Sequence, residues 1–287
     1  MKKSILIPVV VLGLALGAAF ISTHDSLIQD VFGNPAAAST GGGKTSTPPT
    51  KSSSQPASAQ TGTDSSQAAG SQSALAQFLH DNAPSRTIVK RDGIAYVTNS
   101  TSPLVLVNKK RELESTYVPS DLVKVNIPFS FSGANPKQQL RKVAAQAMEK
   151  LVAGAKKDGI DLKGVSGYRS YASQKAIFSA YAKTHGEEEA NTFSAHPGQS
   201  EHQTGLSMDV SSASVQYGLE QSYGETKEGK WLKAHAADYG FIIRYEKGSE
   251  KQTGYMYEPW HVRYVGVYIA KDIKKLGVTL EAYLARF

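Results

Sequence analysis

The chain contains no cysteine at all. That excludes a disulfide scaffold, a thiolate zinc knot, an iron–sulfur centre, a cysteine nucleophile and a lipid-bearing cysteine near the N-terminus. It also lacks a basic arm. Of 32 Lys+Arg and 25 Asp+Glu, residues 1–100 hold 7 and 5, and the remainder hold 25 and 20. The positive excess is mild and spread out, so no nucleic-acid-gripping stretch exists, although a polyanionic wall or membrane surface would suit it. No lysine follows a serine by three positions, and no His-Glu-x-x-His is present. A Ser-x-x-Lys acyl-enzyme and a thermolysin-like metal helix are therefore poor fits. Gly43-Lys44-Thr45 lacks the earlier glycine and the preceding strand of a phosphate loop, and no internal repeat occurs.

What is present falls into four parts. Lys2 and Lys3 precede an apolar run from Ile5 to Ile21. A cationic start before such a run predicts an export segment over residues 1–23, a cleaved signal peptide or an uncleaved membrane anchor, with the rest of the chain outside. Residues 24–75 read as a linker. Within 35–74 all positions but Lys44, Lys51 and Asp64 are Ser, Thr, Gly, Pro, Ala or Gln. Such a stretch cannot repay its ordering entropy and predicts a disordered tether, with a reach of roughly 35 Å. Residues 76–102 form a lead-in, with a strand expected at Ile94–Val97. Residues 103–287 read as one compact α+β domain, a small, mostly antiparallel sheet flanked by helices.

In that last part the pattern predicts a helix over 136–158, capped by Asn135, started by Pro136 and carrying a Leu140, Val143, Ala147, Leu151 stripe. Ser170 is expected to cap a second helix to Thr184, and Glu187–Phe193 to add a helical turn. Trp231–Tyr239 reads as a helix stopped by Gly240, and two closing helices cover 267–275 and 280–286. Strands are expected at Leu162–Ser166, Gly205–Val210, Phe241–Tyr245 and Trp260–Tyr264.

The chain has seven histidines. With no thiol available, a hydrolytic metal site needs His and carboxylate ligands, three of them, with a fourth position open. His202 and Asp209 lie seven apart around Gly205, and a bend there would let them converge; His261 would complete the set from a second segment. Glu258 lies three residues before His261. In a straight strand those two side chains face opposite ways, unless Pro259 turns the backbone. A His–Asp pair at this spacing is by itself a common surface or packing arrangement.

Several ordered blocks then point further. They are Leu104-Val105-Leu106-Val107-Asn108-Lys109, Ser166-Gly167-Tyr168-Arg169-Ser170-Tyr171-x-x-Gln174, Ser200-Glu201-His202-Gln203-Thr204-Gly205-x-Ser207-x-Asp209, Gly240-Phe241-Ile242 and Thr253-Gly254-Tyr255-x-Tyr257-Glu258-Pro259-Trp260-His261. Together they resemble the VanY-type D-alanyl-D-alanine carboxypeptidases, zinc peptidases grouped with lysostaphin-like enzymes and the hedgehog signalling domain. The likeness covers roughly 103–287. One departure is Ser207, where the family usually has Ala.

The resemblance implies one Zn²⁺ per chain held by His202, Asp209 and His261. It implies Glu258 as the base acting on the attacking water, and Arg169 as the donor to the developing oxyanion. It implies Gln174, Ser200 and, less directly, Tyr245 as substrate-binding walls. The expected reaction is removal of the C-terminal D-alanine from peptidoglycan stem peptides of the D-Ala-D-Ala type, the pentapeptide. An L,D-carboxypeptidase acting on the tetrapeptide uses the same set, and a non-catalytic zinc-containing wall-binding module is the remaining alternative. The expected partners are the stem peptides, and the membrane if the N-terminal segment stays attached. No nucleic acid or obligate protein partner is expected. The expected location is extracytoplasmic, tethered to the outer face of the cytoplasmic membrane or secreted to the wall.

Overall fold

The structure, a computed structural model, describes residues 64–287. The expected export segment (1–23) and the linker as far as residue 63 lie outside the described residues. The chain divides into two units, Met1–Leu75 and Ala76–Phe287. Helix α1, Asp64–Asp81, covers the end of the linker and the start of the lead-in. Among the described residues no helix is long and apolar enough to cross a membrane.

After the end of α1, the second unit continues with a hairpin of β1, Ile88–Arg91, and β2, Ile94–Val97. Asp92 and Gly93 join them at φ 51° and 81°. Two successive positive φ values match the right-handed twist of a two-residue hairpin, and Asp-Gly is the pair that tolerates them. A second small pair follows: β3, Leu122–Lys124, runs antiparallel to β4, Gln139–Arg141.

That pairing corrects the helix expected over 136–158. Asn135 does cap, accepting from the Lys137 amide, but it caps a single 3-10 turn, Pro136–Gln138. The chain then extends as β4 before helix α2 starts at Lys142 and runs to Lys157. The buried face of α2 is Ala144, Ala145, Met148, Leu151, Val152 and Ala155. Leu140 is fully buried from the strand, while Val143 and Ala147 are only half-buried. Cross-strand pairing with β3 therefore outweighs helical periodicity over three residues. Gly159, at φ 74°, lets the chain turn after α2.

The main sheet has four antiparallel strands. These are β5 (Lys163–Ser166), β6 (Ser207–Ser211), β7 (Phe241–Tyr245) and β8 (Glu258–Tyr264), in spatial order β5-β6-β8-β7. Every residue of β6 and β8 is buried, so these inner strands show no in-out alternation, as expected when both faces are covered. The helices α3 (Tyr171–His185) and α4 (Glu187–Phe193) follow β5. Ser170 caps α3 by accepting from the Ser173 amide at 3.2 Å. The helix expected at 231–239 starts earlier, as α5, Lys227–His235, capped by Thr226, and tightens to a 3-10 turn at Ala236–Tyr239 before Gly240. A short α6, Glu250–Thr253, precedes β8. The closing helices are α7, Val267–Leu276, and α8, Leu280–Leu284. α7 packs Ile269, Ala270 and Ile273 inward, against β7 and the 236–239 turn. Each such aliphatic side chain contributes about 1.5–3 kcal/mol by leaving water. The unit is α+β with small antiparallel sheets, as expected.

Candidate metal centre and catalytic cleft

His202 sits in the 3-10 turn Glu201–Thr204, which Gly205 ends in the left-handed region at φ 68°. A side chain at Gly205 would meet Leu122 Cδ2 at 2.9 Å and Arg141 Cγ at 3.0 Å. The sharp reversal there feeds β6, which carries Asp209. In the β6·β8 register Asp209 lies directly opposite His261, so the sheet itself sets these two side chains side by side. Asp209 Oδ1 is 3.0 Å from His261 Nδ1, and Asp209 Oδ2 is 3.4 Å from His202 Nε2. The three donor atoms lie within 4.8 Å of one another, and all three residues are buried.

These residues fit a divalent metal. Tetrahedral bonds of about 2.0–2.1 Å set donor atoms about 3.3–3.4 Å apart; the Asp209 carboxylate lies 3.0 and 3.4 Å from the two imidazoles, and the whole set spans no more than 4.8 Å. The donor set is two imidazoles and one carboxylate, which leaves one position open. The His202 tautomer is also set. His202 Nδ1 is 2.8 Å from the carbonyl oxygen of Gly167, which can only accept. The proton is then on Nδ1, and Nε2 keeps its lone pair for the metal. Gly167 has no room for a side chain, since a Cβ would lie 2.5 Å from the Gln139 carbonyl oxygen. β4, missed by the helical reading, thus braces the backbone that orients His202.

Charge follows the same geometry. Burial raises the Asp209 carboxyl, but His202 and His261 outweigh it and hold the group far below its ordinary range. Burial pushes His202 down. Burial opposes protonation of His261 too, yet its hydrogen bonds to Asp209 and Glu201 win and raise it to about 9.

Glu258 opens β8, and its Oε2 lies 3.9 Å from His261 Nδ1. The register explains how residues three apart share a side. Ile243 pairs with Val262 and Tyr245 with Glu258, so β7 advances two residues while β8 advances four. The extra residues bulge at Pro259–His261, where proline has no N–H to give to a ladder. Burial drives the Glu258 carboxyl up to about 7, with the Asp209 and Glu201 charges adding and His261 and Arg169 opposing.

Arg169 follows β5 on the loop before α3. Its Nη1 donates to Gln174 Oε1 at 2.8 Å and its Nη2 to Ser166 Oγ at 3.1 Å, while its buried Nε has no partner. Gln174 is 1% exposed, and its amide nitrogen donates to the Ala195 carbonyl and to Ser194 Oγ. Its hydrogen bonds therefore go to Arg169 and the 194–195 loop. Ser200 is buried immediately before the His202 turn, with no cap bond from its side chain. The Tyr245 ring packs 5.0 Å from the His261 ring and 4.6 Å from Tyr255. Lys109 lies over the other side of this wall, 4.5 Å from the Tyr255 ring centre. His185, His196 and His235 stay outside the donor cluster; His196 packs on Phe178 and His235 stacks on Trp231.

Concavity alone does not find this place. A groove of about 820 Å³ beside β7, lined by Phe241, Ile243, Val278 and Leu280 among others, contains none of the three donor residues. One site residue stands in the sequence motif but received no role there. Glu201, 1% exposed, sits under the donors between Arg244 and Arg263, which outweigh burial and hold its carboxyl well below the ordinary range. Its position beside His202 in the motif was the available signal.

The VanY family model, D-alanyl-D-alanine carboxypeptidase, matches residues 137–267. The putative carboxypeptidase YodJ of Bacillus subtilis (strain 168) is 47% identical over 199 residues, 69% of this chain and 73% of that protein. Among solved structures, the LdcB LD-carboxypeptidase superposes with TM-score 0.66 at 48% identity, covering 68% of this chain and 92% of that one. A variant of the vancomycin-resistance D,D-pentapeptidase VanY from the VanB-type cassette, in complex with Zn(II), superposes with TM-score 0.54 at 28% identity. That match covers 63% of this chain and 98% of the other.

Proposed function

The chain belongs to the VanY-type D-alanyl-D-alanine carboxypeptidase family, and on that footing we propose that it is a zinc-dependent carboxypeptidase removing the C-terminal D-alanine from peptidoglycan stem peptides. The observation that carries the reading is the buried Glu258 carboxylate standing 3.9 Å from one member of a three-donor cluster with an open fourth position. His202 Nε2, Asp209 and His261 Nδ1 would hold the zinc ion. Bound there, zinc supplies a Lewis acid for the scissile carbonyl and makes the attacking water more acidic. Glu258, poised near 7, takes the proton of that water and delivers it to the departing D-alanine amine. Arg169 supplies a fixed positive charge beside the developing oxyanion, with Gln174 and Ser166 fixing the guanidinium plane. Ser200 and Tyr245 form the wall beside the peptide's C-terminal end.

A specific comparison favours one bond over the other. Identity to the LD-carboxypeptidase is 48%, against 28% to the D,D-pentapeptidase, which supports the tetrapeptide as preferred substrate over the pentapeptide first expected. The cationic start and apolar run support action outside the cytoplasmic membrane. Purified protein supplied with tetrapeptide and pentapeptide, with and without chelator, tests the reading. Chelator-sensitive release of D-alanine from the tetrapeptide is the expected result. Preference for the pentapeptide would overturn the bond assignment, and no release from either would leave a wall-binding module. Loss of zinc in His202→Ala checks the ligand set.

A further inference from the structure

Beneath the donor cluster lies a second layer that the reaction does not use directly. Alternation along the strands builds it. On β6, Ser207 shares a face with Asp209; on β8, Arg263 shares a face with His261. The register pairs Asp209 with His261 and, one step further along, Ser207 with Arg263. Glu201 projects from the 3-10 turn into this second step. Its Oε1 accepts from Arg244 Nε and Arg263 Nη1, both at 2.7 Å, and its Oε2 accepts from Ser207 Oγ at 3.1 Å. Oε2 also lies 3.4 Å from His261 Nε2. Arg244 is anchored beyond it by Glu281 of α8, at 2.9 and 2.6 Å, and Arg263 by the carbonyls of Pro103 and Val105, at 3.0 and 2.7 Å. The side chains of Glu201, Arg244 and Arg263 are all 0% exposed.

We propose that Glu201 is a positioning residue that fixes the tautomer and orientation of His261. The proposal rests on the reading of His261 as a metal ligand. The two guanidiniums occupy Oε1 and pin the carboxylate plane, so Oε2 faces the ring. With a metal bound, an acceptor there would hold the imidazole proton on Nε2 and leave Nδ1, which lies 3.0 Å from Asp209 Oδ1, as the lone-pair donor. The contact is long for a hydrogen bond, but both side chains are buried, and the low local dielectric strengthens it. The serine found where the family usually has alanine gains a function here, because its hydroxyl braces Oε2. His202 needs no such device, since the Gly167 carbonyl already fixes its ring.

A buried ion cluster of this kind could serve stability alone, so the test separates the two roles. Glu201→Gln keeps the shape and presents an amide N–H to His261 Nε2, which drives the ring proton onto Nδ1. Zinc affinity, measured by competition with a chromophoric chelator, should fall about 10–100-fold. Glu281→Gln removes the charge and one of the two acceptors facing Arg244 without touching His261; it should lower the melting temperature of the metal-free protein and leave zinc affinity within about twofold of the parent. Should Glu201→Gln fail to fold, two measurements stand in its place. Ser207→Ala should weaken zinc binding a few-fold, and ¹⁵N-detected NMR of the zinc-loaded parent should find the His261 proton on Nε2. A proton on Nδ1, or equal zinc affinity in Glu201→Gln and the parent, overturns the proposal. If the parent itself binds no zinc, or His261→Ala retains it, the ligand reading fails instead.

Discussion

Replacing Glu258 by glutamine should make the metal-free protein more stable at alkaline pH, although it removes the proposed base. The carboxyl moves from its ordinary 4.5 to about 7, chiefly because it is buried. At 1.36 kcal/mol per pH unit that corresponds to about 3 kcal/mol. The sign follows from proton linkage. An acid whose folded-state pKa lies above its unfolded value binds its proton more tightly when folded, so it costs nothing below about pH 4.5. The penalty grows as pH rises and is complete above about pH 7. Glutamine fills the same space and never ionises, so it escapes the penalty. Urea unfolding in the presence of a chelator should therefore show Glu258→Gln more stable than the parent by about 2–3 kcal/mol at pH 8.5. The gap should close near pH 4.5. Added zinc should shrink it at pH 8.5, because a cation favours the ionised parent. A gap that is constant with pH, or a variant less stable at pH 8.5, would refute the claim that desolvation dominates at Glu258.

Metal binding should itself depend on pH. With His261 raised to about 9 in the metal-free protein, zinc must displace a proton, and affinity should rise about tenfold per unit between pH 6 and 8; a flat profile by chelator competition would contradict this. Arg169→Ala should lower kcat by about 10²–10³ with zinc content unchanged, and turnover within threefold of the parent would remove it from the oxyanion role. Gly205→Val places a β-branched residue at φ 68° and 2.9 Å from Leu122 Cδ2; it should cost about 1–3 kcal/mol, and an unchanged thermal melt would show that the turn is not constrained.

What the chain disclosed in advance depended on distance along it. His202, Gly205 and Asp209 lie within one short motif, and a single bend joins them, so their convergence could be anticipated. The relation of Glu258 to His261 could be framed through Pro259, but the bulge that resolves it depends on pairing with β7 and needed the sheet. β4 was hidden because Leu140 fits the apolar stripe of the helix that follows, and only its partner β3 pulls it into an extended form. Of the β1–β2 hairpin only Ile94–Val97 was expected; Ile88–Arg91 was missed, although Asp92-Gly93 is the turn pair that joins them. Glu201 was the least legible: it stands beside His202 in the motif, but its guanidinium partners are 43 and 62 residues away, so its burial between them needed the fold.

The strand order has a consequence for how this protein would lose activity. Asp209 and His261 lie on β6 and β8, the two inner strands, while Arg169 hangs from a loop after β5, an outer one. Outer strands open at lower free energy than inner ones. Mild heat or denaturant should then release the proposed oxyanion donor, Arg169, while the proposed ligands Asp209 and His261 are still zipped together. Such a population would be silent in a peptide assay yet still retain metal, so a preparation's metal content would overstate its competent fraction.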